Sequence, residues 1–353
     1  RRSNPLVQQR AVDDAKSGLW KQYPAILGSR SSRGKLRFIF MFPMSTNLVE
    51  KQYVIPIMES IRRNKVLSFA AWEGFDAVER AFHEQSAFDA AFLASMDYTG
   101  MDQTMGDSQM AIVYDVLAPI FQPQYRAGLK ESLLHAVSIP ILYAHKRMLI
   151  GKHGLASGSG WTNLSESIMS QFVHEYIRIQ VPLKGDQLLG DDGAMTYDKI
   201  YDFAQLIEEA SGACGLVANA EKQHISELWL TYLQRFFHKD IRIPGSDMVA
   251  GSYPTVLALN SAMNPERFHS PEKWNERMET LRWIMILENC NHSPLFHDIV
   301  NFFIKGDKLR LGLDIPGWLT TGIVEDHKSA KTIKGFVPTY TTSHREKGIL
   351  EFE

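Results

Sequence analysis

Gln187-Leu188-Leu189-Gly190-Asp191-Asp192-Gly193-Ala194-Met195-Thr196-Tyr197 is the stretch on which the reading of this chain turns. Short apolar segments flank Gly190 to Gly193, and an Asp-Gly pair between two strand-like segments predicts a β-hairpin. Taken alone, that turn is ordinary, because Asp and Gly are favoured turn residues. Two adjacent carboxylates at a hairpin tip nevertheless repel each other and gain nothing structural unless a cation sits between them.

Working outward, Ala91-Phe92-Leu93-Ala94-Ser95-Met96 reads as a buried strand that ends at Asp97, with Asp102 five residues further on. A carboxylate at the mouth of a buried strand can meet a neighbouring hairpin tip. Asp97, Asp191 and Asp192 would then hold two Mg²⁺ ions, which take carboxylate oxygens together with substrate phosphates; Mn²⁺ suits the same ligands. Two ions about 4 Å apart clamp the attacking and leaving oxygens of an in-line phosphoryl displacement. Asp102 lies beyond the metal position, where a carboxylate can accept a hydrogen bond from a substrate hydroxyl.

Between these elements, Gly154-Leu155-Ala156-Ser157-Gly158-Ser159-Gly160-Trp161-Thr162-Asn163 leads into the clearest helix of the chain. Leu164, Ile168, Phe172 and Tyr176 recur at helical spacing, and Met169, Val173 and Ile177 fill the adjoining stripe. Asn163 with Glu166 three residues later predicts a capping box. A glycine loop bearing hydroxyls at a helix start can approach a sugar-phosphate chain closely. Helices are expected over 73–85, 107–120, 124–137 and 198–210, and a short strand over 215–218. Leu48 to Arg63 is expected to be helical with a break or kink at Pro56. The middle of the chain thus runs strand, helices, hairpin, helix, strand, which suits a split βαβ sheet with helices on one face.

Here the residues carry a resemblance. Asp97-x4-Asp102, Ser157-Gly158-x3-Thr162-Asn163 and Gly190-Asp191-Asp192, in that order, resemble motifs A, B and C of viral RNA-dependent RNA polymerases. The Ser-Gly-Ser-x-x-Thr-Asn form is similar to picobirnavirus and partitivirus polymerases. Arg33, Lys35 and Arg37, before the apolar run Phe38 to Phe42, resemble the basic motif F strand that covers the incoming triphosphate. Lys222 falls where motif D carries a lysine, and Tyr232-Leu233-Gln234-Arg235-Phe236 looks like the motif E turn that grips the growing strand. Glu166 departs from the commoner plus-strand viral pattern, which places an asparagine there.

The resemblance implies an α+β right-hand polymerase: partial fingers over 1–72, a palm over 73–243 with 107–150 contributing to the fingers, and a helical thumb over 244–353. It implies template-directed nucleotidyl transfer from NTPs to an RNA 3′-hydroxyl. Asp97, Asp191 and Asp192 would be catalytic metal ligands and Lys222 the general acid for pyrophosphate. Arg33, Lys35, Arg37, Asp102, Ser157, Gly158, Thr162 and Asn163 would bind the nucleotide. The implied partners are template RNA, product RNA, NTPs and a viral capsid protein, with action in the virion interior and host-cell cytoplasm on a double-stranded RNA genome. A reverse transcriptase is the nearest alternative, but that family usually has a bulky steric gate where Asp102 stands. A non-catalytic, polymerase-derived RNA-binding or capsid-associated protein would have no reason to keep three clustered aspartates.

Composition is ordinary for a soluble globular protein. The 353 residues are 44% hydrophobic and 22% charged, enough for two or three domains. A net charge of −2 gives no global basic field, although a polyanion needs only a local basic groove. Two cysteines exclude a disulfide scaffold or a Cys-rich zinc module and fit a reducing compartment. No apolar run is long enough for a membrane span. The 12 histidines show no paired ligand spacing; His153, beside the glycine loop, is the one of interest. Arg62-Arg63-x-Lys65 and Lys328-x-x-Lys331-x-x-Lys334 read as solvated faces or as a nucleic-acid path. The chain starts Arg1-Arg2-Ser3, and a further N-terminal portion is expected to precede it.

Overall fold

The computed structural model describes residues 4–32, 35–199, 202–265 and 269–330. Arg33, Lys331 and Lys334 lie outside the described residues, as does the side chain of Lys35. The first half of the chain forms α1 (Pro5–Ser17), β1 (Ala25–Ser32), β2 (Lys35–Met41), α2 (Met44–Arg63), α3 (Phe75–Glu84), β3 (Phe92–Asp97), α4 (Met101–Thr104), α5 (Asp107–Leu117), α6 (Pro123–Ala136), β4 (Ile141–Ala144), β5 (Arg147–Leu149) and α7 (Thr162–Gln180). The second half adds β6 (Leu183–Leu189), β7 (Asp192–Tyr197), α8 (Phe203–Ala213), β8 (His224–Ser226), β9 (Trp229–Tyr232), β10 (Arg235–Arg242), β11 (Val249–Ser252), α9 (Thr255–Met263), α10 (Glu276–Glu288), α11 (Phe296–Gly306) and α12 (Ile323–Ala330).

The chain divides into two compact units: residues up to 69 together with 90–225, and 70–89 together with residues from 226 onward. In the first unit the strand order β6-β7-β3-β8 is that of the expected split βαβ sheet. Its central strand, β3, is apolar because it is covered: Leu93 and Ala94 are fully buried. A second sheet, β2-β1-β4-β5, carries the basic segment, with β1 and β2 antiparallel and β1 and β4 parallel. The second unit holds the sheet β11-β10-β9 and a helical core around Leu281, Cys290, Phe303 and Trp318.

Two local expectations change. Residues 215–218 are not a strand; Gly215 takes a positive φ of 73° that turns the chain, leaving a single bridge from Ala218 to Tyr98, and β8 supplies the edge strand instead. Pro56 does not break α2, which runs unbroken over its 20 residues. Burial of Val54 and Ile57 on either side offsets the missing proline donor. Pro244 and Gly245 lie in the β10–β11 connection, where the Ile243 amide donates to the Met248 carbonyl at 2.9 Å.

Candidate active site

The β3–β7 register sets Asp97 directly opposite Asp192, so two of the three expected carboxylates face each other across one pair of strands. The third, Asp191, occupies the turn that the Leu189–Asp192 pair closes. Gly190, at the first central position of that turn, has a φ of 63°, which favours glycine there. Asp191 and Asp192 are open to solvent at the tip, yet protein and negative charge crowd their carboxyls. Burial pushes Asp191 above the usual carboxylate range; Asp102 and Asp97 add to this and Arg37 opposes it. Burial, with Asp191 and Asp97 beside it, raises Asp192 to about 6. Among the described residues no three His, Cys, Asp or Glu side chains converge into a metal cage. The donor set still suits hard divalent cations, which share carboxylates with substrate phosphates and relieve this mutual repulsion.

Helix α7 runs behind the hairpin and presents a polar stripe to it. Ser167 Oγ accepts the Gly190 amide at 2.8 Å, and Ser170 Oγ donates to the Gly190 carbonyl at 2.7 Å. His174 lies against Gly193 and pairs with Asp186 at 3.3 Å. Asn163, Glu166, Ser167, Ser170 and His174 therefore share one face at helical spacing. Ser167, Ser170 and His174 are fully buried, whereas Phe172 and Tyr176, expected in the apolar stripe, are 37% and 39% exposed. Pattern reading missed these serines because polar positions on an amphipathic helix normally mark its solvent side. Their one distinguishing signal is that they are short hydroxyl residues where a solvent face would carry Lys or Glu.

The expected capping box does not form. Helix α7 starts at Thr162, so Asn163 lies inside its first turn, and no side chain caps the start. Glu166 instead hydrogen-bonds Asp102. Its carboxyl is held well above the usual range by burial first, then by the bond to Asp102 and the charges of Asp102 and Asp191. A Cβ placed on Gly190 would lie 3.3 Å from Glu166 Oε2 and 3.4 Å from Asn163 Nδ2. Asp102, Asn163 and Glu166 thus meet beside the hairpin tip.

The glycine loop is packed on three sides. A Cβ on Gly158 would stand 1.9 Å from the Phe40 carbonyl oxygen of β2, and one on Gly154 2.6 Å from the Asp102 carbonyl oxygen. Glu50 of α2, 1% exposed, accepts from Ser159 Oγ at 2.6 Å, the Gly160 amide at 2.7 Å and Asn47 Nδ2 at 3.0 Å. Nothing in the local sequence marks Glu50, which acts over more than a hundred residues of separation. Ser157 is half-buried in the loop, and Thr162 Oγ1 donates to the Ser159 carbonyl at 3.2 Å. The ring nitrogens of His153 lie 2.6 Å and 2.9 Å from the carbonyls of Gly154 and Ile139, so this histidine braces the loop.

Lys222 lies on a short turn whose next residue, Gln223, bonds the backbone of Asp97; the Lys222 ammonium donates to Thr99 Oγ1 at 3.3 Å. Arg37 is exposed on β2 within electrostatic reach of Asp191. In the second unit, residues 232–236 form the β9–β10 hairpin, with positive φ at Leu233 and Gln234. Arg235 is buried there, donating to the carbonyls of Gly251 and Asn289 and stacking 3.8 Å from the Phe75 ring centroid.

The viral RNA-dependent RNA polymerase family model matches residues 30–248, which include every one of these site residues. The chain belongs to this polymerase family. It is 32% identical over 345 residues to the potential RNA-dependent RNA polymerase of human picobirnavirus, covering 92% of this chain and 62% of that relative. The crystal structure of a human picobirnavirus RNA-dependent RNA polymerase matches with a TM-score of 0.79 and 32% identity, over 87% of this chain and 60% of that one. Its insertion-loop deletion mutant matches with a TM-score of 0.78, over 88% and 63%. The fold of this polymerase-family chain is therefore the right-hand polymerase fold, and the chain spans about three-fifths of the length of these relatives.

Proposed function

We propose that this chain catalyses template-directed RNA synthesis, carried above all by one observation: Asp97 and Asp192 face each other in register with Asp191 in the adjoining turn. The product 3′-oxygen bonds to the α-phosphorus of an NTP, the bond to the bridging oxygen breaks, and pyrophosphate leaves. Asp97 and Asp191, assisted by Asp192, would hold two divalent ions, which when bound stabilise the attacking and leaving oxygens. Arg33, Lys35 and Arg37 neutralise the triphosphate, as cations do at other phosphoryl-transfer sites; the influence of Arg37 on Asp191 supports this. Lys222 would protonate the departing pyrophosphate. Asp102 and Asn163 read the ribose 2′-hydroxyl, and Ser157, Gly158 and Thr162 line the approach of the sugar-phosphate chain.

In this reading the first unit carries fingers and palm chemistry, and the helical C-terminal part of the chain is thumb. Template RNA, product RNA and NTPs are the partners, with a viral capsid protein as a further one. The work is replication and transcription of a viral RNA genome in the virion interior and host-cell cytoplasm. No described helix is long and apolar enough to cross a membrane. Primer extension with Mg²⁺ tests the proposal: Asp191→Asn should abolish nucleotide addition while RNA binding, which rests on Lys and Arg contacts to phosphates, survives. Extension by Asp191→Asn at the wild-type rate under limiting Mg²⁺ would refute it.

A further inference from the structure

The backbone of a tight hairpin turn normally faces water, because its amide and carbonyl have no partner in the ladder. At Gly190 both groups are instead held by side chains of one helix. Ser167 Oγ takes the amide hydrogen at 2.8 Å, and its own proton goes to the Asn163 carbonyl at 2.7 Å. Ser170 Oγ gives its proton to the Gly190 carbonyl at 2.7 Å. All three residues are buried, and the two serines have no solvent exposure. The absence of a side chain on Gly190 lets α7 come this close, since a Cβ would meet Glu166 and Asn163 at 3.3–3.4 Å.

We propose that Ser167 and Ser170 are positioning residues that hold the hairpin tip so that the Asp191 carboxylate stands where a divalent cation is bound. The inference rests on the reading of Asp191 as a metal ligand. The Gly190 carbonyl belongs to the peptide that joins it to Asp191 and its amide to the peptide before, so the two hydroxyls fix both peptide planes that lead into Asp191. They also tie the tip to the helix whose first turn follows the glycine loop, linking the nucleotide-facing loop and the catalytic turn through one rigid element. Partners one shell out from a metal typically change metal affinity by about 10–100-fold. A displacement of about 1 Å at a reacting group costs about 10²-fold in rate.

Ser167→Ala, Ser170→Ala and the double variant should be compared with Ser165→Ala in the full-length protein. Ser165 lies fully buried on the same helix, and its hydroxyl has no hydrogen-bond partner among the described residues. Mn²⁺ binding by electron paramagnetic resonance, kcat and KM for NTP, RNA affinity and melting temperature are the readouts. The double variant should bind Mn²⁺ at least tenfold more weakly and lose about 10²-fold in kcat. KM and RNA affinity should stay within threefold, and Ser165→Ala should behave as wild type. Each single variant keeps one of the two bonds, so the singles carry the test if the double variant does not fold. Wild-type Mn²⁺ affinity and kcat in both singles would overturn the proposal. So would losses in Ser165→Ala as large as theirs, which would reveal general helix packing. Asp191→Asn separates the two levels: if it extends primers normally, the metal reading itself falls; if it is inactive while the serine variants are normal, only the positioning role falls.

Discussion

The side-chain amide of Gln223 closes both backbone hydrogen bonds of Asp97. Gln223 Oε1 accepts from the Asp97 amide at 3.0 Å, and Nε2 donates to the Asp97 carbonyl at 2.9 Å and to the Asn219 carbonyl at 3.0 Å. One side chain thus does at the end of β3 what a neighbouring strand would otherwise do. Gln223→Ala should lower kcat by one to two orders of magnitude through misplacement of Asp97. Its stability cost should stay near that of ordinary hydrogen bonds, about 0.5–1.5 kcal/mol for each bond lost. Single-turnover extension and thermal melting on the same preparation check both numbers.

Asp102 and Glu166 share a hydrogen bond, and an ionised Asp102 can only accept from a ribose hydroxyl. Asp102→Ala should therefore cost ribonucleotide use more than deoxynucleotide use, since a site built around a substrate hydroxyl rejects the analogue lacking it by large factors. Glu166→Gln keeps a donor toward Asp102 and should retain most of the preference, whereas Glu166→Ala should narrow it. Matched incorporation efficiencies for NTP and dNTP pairs decide the matter; an unchanged ratio in Asp102→Ala would show that Asp102 does not read the sugar.

Gly158→Ala should abolish primer extension, because a Cβ 1.9 Å from the Phe40 carbonyl oxygen cannot be accommodated without moving the loop or β2. Gly212→Ala, where nothing lies within 4 Å of the added atom, is the matched control and should leave extension unchanged.

Glu50→Ala removes the acceptor shared by Ser159, Gly160 and Asn47. Each buried donor left unpaired costs about 1–3 kcal/mol, so denaturant unfolding should show a loss of several kcal/mol. Glu50→Gln keeps one acceptor oxygen and should lose less.

His135 supplies a pH test. Burial lowers its pKa to about 4, with Glu131 opposing the shift and Lys21 and His153 reinforcing it; Trp20 meets its ring edge-on at 4.7 Å. The unfolded chain binds the proton more readily than the folded one. This contribution is therefore complete above pH 6.5 and is lost as pH falls toward 4. Partial exposure trims the full effect to about 2–3 kcal/mol. His135→Phe should flatten the acid limb of the stability profile between pH 6.5 and 4, as measured by urea unfolding at stepped pH.

The chemistry of this protein was legible where it is local. The hairpin around Gly190 to Gly193 was legible, although its turn is Gly190-Asp191 and the Asp192-Gly193 pair lies in β7; the run Phe92–Met96 reads as a covered strand, and their order along the chain predicts the split βαβ sheet. Short-range periodicity and turn chemistry carry that information because neighbours in sequence set it. Tertiary structure alone decided what holds these residues in place. Ser167, Ser170, Gln223 and Glu50 are unremarkable in the sequence, and Glu166 looks like half of a capping box. Each acquires its role from a backbone group or carboxyl brought to it from 20 to 126 residues away, or from 64 in the case of Glu166 and Asp102. A hydrogen bond across such a separation depends on the packing of whole elements. No residue type or spacing announces it.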